Sequence, residues 1–176
     1  DRKATTPVPI TVVLTPPSRV LLITGPNTGG KTVALKTTGL LALMAQAGLH
    51  VPAAPGSTLP VFRTIFADIG DEQSISASLS TFSAHITNIA AIDRALQLPA
   101  LVLLDEVGTG TDPAEGGALA TAIIAHFKDR GVLVFATTHY DALKTWGTAT
   151  SDVTTAAFAL DPQTFAPSYR LIYGAP

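Results

Sequence analysis

Cysteine is absent from this chain of 176 residues, and charged side chains make up only 14% of it. Without cysteine the chain can form neither a disulfide framework nor a zinc site built on thiolates, and this is typical of a cytoplasmic protein. The formal net charge of -2 argues against a large basic surface for nucleic acid within these residues. So little charge also indicates that a partner subunit or further domains cover part of the surface.

Long apolar runs are missing as well. No stretch approaches the roughly 20 residues that a membrane span requires, and no signal peptide is visible, so we expect no membrane partner. The chain begins at Asp1 rather than at a methionine. We therefore expect residues 1–176 to be a single domain excised from a larger multidomain protein.

The stretch VLLITGPNTGGKT, residues 20–32, contains the strongest signal in the sequence. An apolar run breaks into a glycine-rich loop, matches the pattern G-x-x-x-x-G-K-[ST], and leads into a helical pattern, which is the context that phosphate binding requires. The glycines permit backbone conformations in which successive amide groups turn toward a polyphosphate, and the following helix directs its positive end at the same anion. The predicted phosphate-binding residues are Gly25, Pro26, Asn27, Thr28, Gly29, Gly30, Lys31 and Thr32. Lys31 would place a cation at the outer phosphates, and Thr32 would offer its hydroxyl to Mg²⁺.

Two adjacent carboxylates form the second signal. Asp105 and Glu106 follow the apolar residues Leu101 to Leu104, which are typical of a parallel strand buried on both faces. Asp105 is suited to hold Mg²⁺ through its water shell, because this ion keeps several waters and accepts few protein carboxylates. Glu106 points in a different direction and can take a proton from an attacking water.

Three further residues are singled out by their place in the pattern. His139 follows a buried strand predicted over residues 132–136, where an open α/β sheet places groups that face a ligand. Ser80 stands where the N-cap of an amphipathic helix belongs, and the same helix end could receive an anion from another chain. His85, one turn into that helix, is predicted to lie at the surface.

Strands and helices alternate along most of the chain, which predicts an α/β fold with a mostly parallel central sheet, helices on its faces and antiparallel strands at its margins. Residues 9–14 are predicted to form a hairpin with the strand that starts at Val20, and residues 153–160 and 168–173 to form two strands joined by a turn. Asp112 is the expected N-cap of a helix that continues to Gly131.

The segments TGPNTGGKT, STFSAHI, DEVGTGTDPAEGGALA and ATTHY together resemble the ATPase domain of the MutS proteins, which are P-loop NTPases of the ABC type. The resemblance covers nearly the whole chain. The segment DPAEGGALA, and the segment DEQS that precedes STF, are more similar to the second bacterial MutS subfamily than to the mismatch-recognising one. By this resemblance, residues 25–32 form the Walker A loop, Asp105 and Glu106 the Walker B pair, and His139 the switch histidine near the γ-phosphate of ATP. The catalytic residues would then be Lys31, Glu106 and His139.

The resemblance also implies a homodimer with composite ATP sites. Ser80 corresponds to the signature residue that completes the site of the partner subunit, and Gln73 falls near the Q-loop position. Residues 108–112 correspond to the D-loop at the dimer interface. ATP and Mg²⁺ are the implied ligands, and hydrolysis would drive dimer closure.

Members of this subfamily carry further domains, including a C-terminal Smr domain credited with nuclease activity. They are associated with suppression of homologous recombination on branched DNA and with the recognition of stalled, collided ribosomes. Contacts with DNA, ribosomes or rRNA would lie in those further domains.

Three other functions remain open. A P-loop kinase would transfer a phosphoryl group, but no arginine-rich lid is evident, and the adjacent Asp105 and Glu106 suit water activation better. A nucleotide-gated clamp would bind ATP with little turnover. A transporter cassette or chromosome-structure ATPase would carry a glycine-rich LSGGQ-like signature, where this chain has SLSTFSAH.

Overall fold

The structure is a computed structural model that describes residues 7–26, 29–70, 78–164 and 166–174, without the side chains of residues 78–81. Its elements along the chain are β1 (Val20–Thr24), α1 (Lys31–Gln46), β2 (Thr64–Asp68), α2 (Ser78–Ala95), β3 (Ala100–Leu104), α3 (Pro113–Asp129), β4 (Leu133–Thr137), α4 (Asp141–Ala149), β5 (Val153–Leu160) and β6 (Pro167–Tyr173). Within these ranges, no helix combines the length and the apolar character that crossing a bilayer would demand.

The six strands form one sheet in the order β2, β3, β4, β1, β5, β6. The first five strands in this order are parallel, and β6 pairs antiparallel with β5 at the edge of the sheet. The predicted α/β fold with a mostly parallel sheet is therefore confirmed. Because β1, β3 and β4 run parallel, the loops that follow them all open at one edge of the sheet.

Two apolar clusters cover the two faces of the sheet. Alternate residues of β1 separate between them: Val20 and Leu22 pack with α2, α3 and α4, whereas Leu21 and Ile23 pack with α1. The side chains of β1 and β3 are almost completely buried. Burial on both faces explains why the sequences of these strands are continuous apolar runs and do not alternate between apolar and polar residues.

The predicted N-terminal hairpin is wrong. The segment before β1 contains no strand from residue 7 onward, because β1 is a central strand whose two edges are taken by β4 and β5. The segment instead contributes Ile10 and Val12 to the apolar cluster beneath α1. It is attached to the far edge of the sheet by Tyr173, whose hydroxyl accepts the Val13 amide at 2.6 Å and donates to the Thr11 carbonyl at 3.0 Å.

Of the two predicted helix N-caps, Asp112 and Ser80, one is confirmed and one is wrong. Asp112 caps α3 as predicted, and its carboxylate accepts the amides of Ala114 and Glu115 at 2.9 and 3.3 Å. Ser80 is not an N-cap, because α2 begins at Ser78 and Ser80 lies in its first turn. Serine recurs at every second position from 74 to 80, so the sequence offers several equivalent caps and does not identify one.

Candidate nucleotide-binding site

The glycine-rich loop connects β1 with α1, as the motif requires. Gly25 and Gly30 have φ values of 116° and 97°, in the left-handed region where residues with a side chain are strained. A Cβ on Gly25 would also lie 3.1 Å from the carbonyl oxygen of Phe158 in β5. Gly29 donates its amide to the Pro26 carbonyl at 3.0 Å, and Thr32 is the second residue of α1. Asn27 and Thr28 lie outside the described residues.

Lys31 is the first residue of α1, and its side chain is 1% exposed. The Lys31 ammonium donates to the carbonyl oxygen of Gly25 at 2.6 Å and lies 3.2 Å from Oε1 of Glu106. The positive charge therefore sits beneath the loop, next to the carboxylate that the sequence assigns to water activation. A buried lysine of this kind requires such partners, since an isolated charge is costly to remove from water.

Asp105 and Glu106 follow β3 directly, and they are 7% and 8% exposed. Thr137, the last residue of β4, joins them: its hydroxyl donates to Oδ1 of Asp105 at 2.5 Å and accepts the amide of Glu106 at 2.9 Å. Sequence reasoning missed Thr137, although its position at a strand end beside His139 was a usable signal. The hydroxyl holds the Asp105 carboxylate in one orientation.

Glu106 has the unusual φ of 48°. Such a conformation costs free energy in a residue with a side chain and is concentrated at functional sites. Its Oε2 atom is buried and has no hydrogen-bond partner within the described part of the chain. Nδ1 of His139 lies 3.7 Å from Oε2. A buried, unsatisfied carboxylate oxygen can accept a proton from a water molecule placed beside it.

His139 lies between β4 and α4, and its side chain is 46% exposed. Lys31, Glu106 and His139 thus lie together in the structure. Its neighbour Tyr140 is buried and contacts the His139 ring, with the ring centroids 4.5 Å apart. The Tyr140 hydroxyl donates to the carbonyl oxygen of Gly108 at 2.9 Å. This bond fixes the segment that carries His139 against the loop that follows Glu106.

The loop after Glu106 packs directly against α3. Gly108 has a φ of 90°, and a Cβ on it would lie 2.3 Å from the carbonyl oxygen of Gly116. Only glycine fits there, which accounts for part of the motif GTGTDPAEGG.

Beside the phosphate loop lies Tyr169, which is 48% exposed. Its ring lies 3.7 Å from where a Cβ of Gly30 would be. An exposed aromatic ring in that place offers a surface on which a nucleotide base can stack.

Besides Asn27 and Thr28, two predicted residues cannot be placed at this site. Gln73 lies outside the described residues, and of Ser80 only the backbone position in the first turn of α2 is known. The prediction that His85 is exposed is wrong. Its Nδ1 lies 2.7 Å from Oδ2 of the buried Asp68, and its side chain is only 15% exposed. Asp68 ends β2, far from His85 in sequence, so the pairing has no local signal.

Thr32 and Asp105 present the oxygen donors that Mg²⁺ prefers, since this ion is held in nucleotide sites by one or two protein groups together with phosphates. No group of three or more His, Cys, Asp or Glu side chains in the described ranges is arranged around a common metal position. The donor set fits an ion held partly by a nucleotide better than an ion held by protein alone.

In the parallel sheet, β4 lies between β1, which precedes the phosphate loop, and β3, which precedes the acidic pair. This arrangement defines the class of the domain, which is a P-loop NTPase fold. The chain belongs to the MutS family, because residues 21–172 match MutS domain V, the P-loop ATPase domain of those proteins. The sequence resemblance to this family is thereby confirmed.

Three similar curated proteins share one name. Endonuclease MutS2 of Thermomicrobium roseum is 57% identical over 176 residues, which are all of this chain and 22% of that protein. Endonuclease MutS2 of Symbiobacterium thermophilum is 57% identical over 169 residues, 96% of this chain and 21% of that protein. Endonuclease MutS2 of Geobacillus thermodenitrificans is 54% identical over 169 residues, 96% of this chain and 22% of that protein. The chain thus spans about a fifth of the length of these relatives, and they agree with the subfamily resemblance drawn from the sequence.

Proposed function

We propose that this chain binds ATP with Mg²⁺ and hydrolyses it to ADP and phosphate. One observation carries the proposal: the phosphate-loop lysine, Lys31, and the carboxylate of Glu106 meet in a buried pair with 3.2 Å between Nζ and Oε1. A loop that only turned the chain would not need a buried cation, and a solvated strand end would not bury a carboxylate against it.

Phosphate binding would use three features of the first motif. The left-handed glycines Gly25 and Gly30 shape the loop, the N-terminus of α1 supplies backbone amides and the positive end of its dipole, and Lys31 supplies a full charge. The outer phosphates of ATP would compete with Glu106 for the Lys31 ammonium. Binding would then leave the Glu106 carboxylate available to a water molecule.

Hydrolysis requires a base for the attacking water and stabilisation of the charge that develops on the phosphates. Glu106 would take a proton from the water while the water oxygen forms a bond to the γ-phosphorus. The bond between the γ-phosphorus and the leaving oxygen of ADP breaks in the same reaction. His139, 3.7 Å from Oε2 of Glu106, would orient that carboxylate or the γ-phosphate. Thr32 and Asp105 would hold Mg²⁺, which neutralises phosphate charge when bound.

We further propose that the chain is the single ABC-type ATPase domain of a larger cytoplasmic protein that dimerises. Ser80 would complete the nucleotide site of the partner subunit, Gln73 would lie near the γ-phosphate, and hydrolysis would control dimer closure. The name of the similar proteins, Endonuclease MutS2, supports a role on DNA. Branched DNA, in the suppression of recombination, and collided ribosomes are the two candidate targets, and nuclease activity would lie outside this chain.

The experiment that tests this proposal is phosphate release by the full natural protein, measured alone, with branched DNA and with ribosomes. We expect release that depends on ATP and Mg²⁺, and stimulation by one of the two targets. Stimulation by branched DNA with none by ribosomes would assign the protein to recombination, and the reverse would assign it to translation. An absence of ATP-dependent release in all three conditions would contradict the hydrolase and favour a clamp that only binds nucleotide.

A further inference from the structure

A second polar cluster lies at the edge of the sheet, outside the proposed nucleotide site. Asp68 ends β2 and is 6% exposed. Its Oδ2 atom lies 2.7 Å from Nδ1 of His85, and its Oδ1 atom accepts a hydrogen bond of 2.8 Å from the side-chain amide of Asn88. We refer to Asp68, His85 and Asn88 as the Asp68 cluster.

The Asp68 cluster attaches the middle of α2 to the sheet, through His85 and Asn88. The buried apolar residues of α2 within the described side chains are Ile89 and Ile92, both in its second half. His85 and Asn88 stand one turn apart on the same face, so both oxygens of one carboxylate are bound by one helix. Two hydrogen bonds of fixed direction define the rotation of a helix more narrowly than apolar contact does.

Gly70 completes this arrangement. A Cβ on Gly70 would lie 3.1 Å from Cε1 and 3.2 Å from Nε2 of His85, so the imidazole ring rests on the backbone that leaves β2. Nothing in the proposed chemistry of ATP uses these residues. A buried carboxylate costs free energy unless it is fully bonded, so its presence here calls for a positional role.

Asp68 also touches the proposed nucleotide site through its backbone. Its carbonyl oxygen accepts the amide of Asp105 at 2.9 Å. The residue that holds α2 with its side chain therefore holds the start of the acidic pair with its main chain. The first turn of α2, with Ser80 in it, is thus placed in a fixed relation to Asp105 of the same chain.

We propose that Asp68, His85 and Asn88 are positioning residues that set the first turn of α2 for the nucleotide site of a second copy of this chain. The inference rests on the proposed composite site, in which Lys31 comes from one subunit and Ser80 from the other. Loss of the Asp68 cluster would leave the nucleotide site of its own subunit intact and would damage the site of the partner.

Mixed dimers of the full natural protein test this directly. The first dimer pairs a Lys31→Ala chain with a His85→Ala chain, so that the one working site uses an intact α2. The second dimer pairs a Lys31→Ala/His85→Ala chain with the unaltered chain, so that the one working site uses the altered α2. Both dimers contain the same two substitutions. We expect the first to keep the single-site rate and the second to lose at least tenfold in kcat.

Two controls accompany the mixed dimers. His85→Asn places an amide N–H near the position of Nδ1 and should restore most of the rate in the second dimer, whereas Thr87→Ala, an exposed position on the same helix, should change neither dimer. Equal losses in both dimers, or a loss confined to the first, would overturn the inference.

A reference mixture separates this inference from the proposed function. Lys31→Ala and Ser80→Ala chains, each inactive alone, should regain one working site when they are mixed. If they do not, the composite site is wrong and the inference falls with it. If they do regain activity while the two His85 dimers are equal, only the role of the Asp68 cluster is refuted.

Discussion

Lys31 and Glu106 form a buried ion pair, with 3.2 Å between Nζ and Oε1 and with side chains 1% and 10% exposed. The two residues belong to the two strongest motifs of the sequence, and two strands that are not neighbours in the sheet bring them together. The pair explains how the chain keeps a lysine and a glutamate inside the fold when no nucleotide is bound. It also predicts that neither residue can be changed without an effect on the other.

Removal of the cation alone should destabilise the fold. Lys31→Met keeps most of the side-chain volume but leaves Glu106 buried without its partner, and loss of one member of a buried pair costs about 3–5 kcal/mol. Urea unfolding should show that loss. The double variant Lys31→Met/Glu106→Gln should recover a large part of it, because it removes the orphaned charge. Equal stabilities for the single and the double variant would show that the pair is not coupled.

Glu106→Gln should separate binding from chemistry. The amide keeps the size of the carboxylate but cannot take a proton, so ATP binding should persist while turnover falls by about 10²–10⁴-fold, the usual contribution of a general base. Phosphate release under single-turnover conditions measures the effect. Hydrolysis at the parent rate would exclude Glu106 as the base and would favour the kinase or clamp alternatives.

Thr137 should matter through its hydroxyl alone. Thr137→Val keeps the shape but removes both bonds to the acidic pair, leaving the buried amide of Glu106 unsatisfied at a cost of about 1–3 kcal/mol. Thr137→Ser keeps the hydroxyl and should stay close to the parent in the midpoint of urea unfolding and in the Mg²⁺ concentration that gives half-maximal turnover. A valine variant that matches the serine variant in both measurements would contradict the bridging role.

One stability effect should depend on pH. The hydrogen bond from Lys128 is the main cause that lowers the pKa of Asp152 below its ordinary value. A lowered pKa in the folded state contributes stability above the pKa of the unfolded state, and this contribution is lost as the pH falls through the folded pKa. Asp152→Asn should therefore lower the free energy of unfolding at pH 7, by less than about 1 kcal/mol for a partly exposed pair.

The comparison at pH 7 and near pH 3 decides this prediction, since the difference between Asp152→Asn and the parent should shrink in acid. Asp141→Asn is the matched control. Asp141 also has a lowered pKa, because Lys144 donates a hydrogen bond to it, but its side chain is 92% exposed, so its loss should not be measurable. A difference for Asp152→Asn that grows toward acid would reverse the assigned sign.

The parts of the candidate site that could be predicted from the sequence are those formed by consecutive residues. The phosphate loop, the acidic pair and the strand end before His139 each occupy a short segment whose residue types define the chemistry. Thr137 and Tyr140 stand beside His139, but their partners, Asp105 and Gly108, lie on a different loop. Only the order of strands in the sheet brings these residues together, and no periodicity in the sequence reveals that order.

The errors have the same origin. The hairpin predicted for residues 9–14 failed because β1 has no free edge, which is a property of the whole sheet. The prediction that His85 is exposed is wrong because its partner, Asp68, lies 17 residues earlier in the chain and on another element. No pattern in the sequence singles out Tyr169, since one tyrosine in a tail strand is typical of packing. Its position beside Gly30 of the phosphate loop follows only from the fold.

The central claim, that the loop around Lys31 binds ATP, is tested most directly by calorimetric titration of ATP with Mg²⁺ into the parent and into Lys31→Ala. Lys36→Ala, at an exposed position of the same helix, is the control. Repetition of the comparison in the Glu106→Gln background removes the effect of the orphaned carboxylate. Because hydrogen bonds to charged groups contribute about 1.5–3 kcal/mol each, Lys31→Ala should weaken binding at least tenfold in both backgrounds, whereas Lys36→Ala should not. Equal affinities for the parent and Lys31→Ala would contradict the assignment of the phosphate loop.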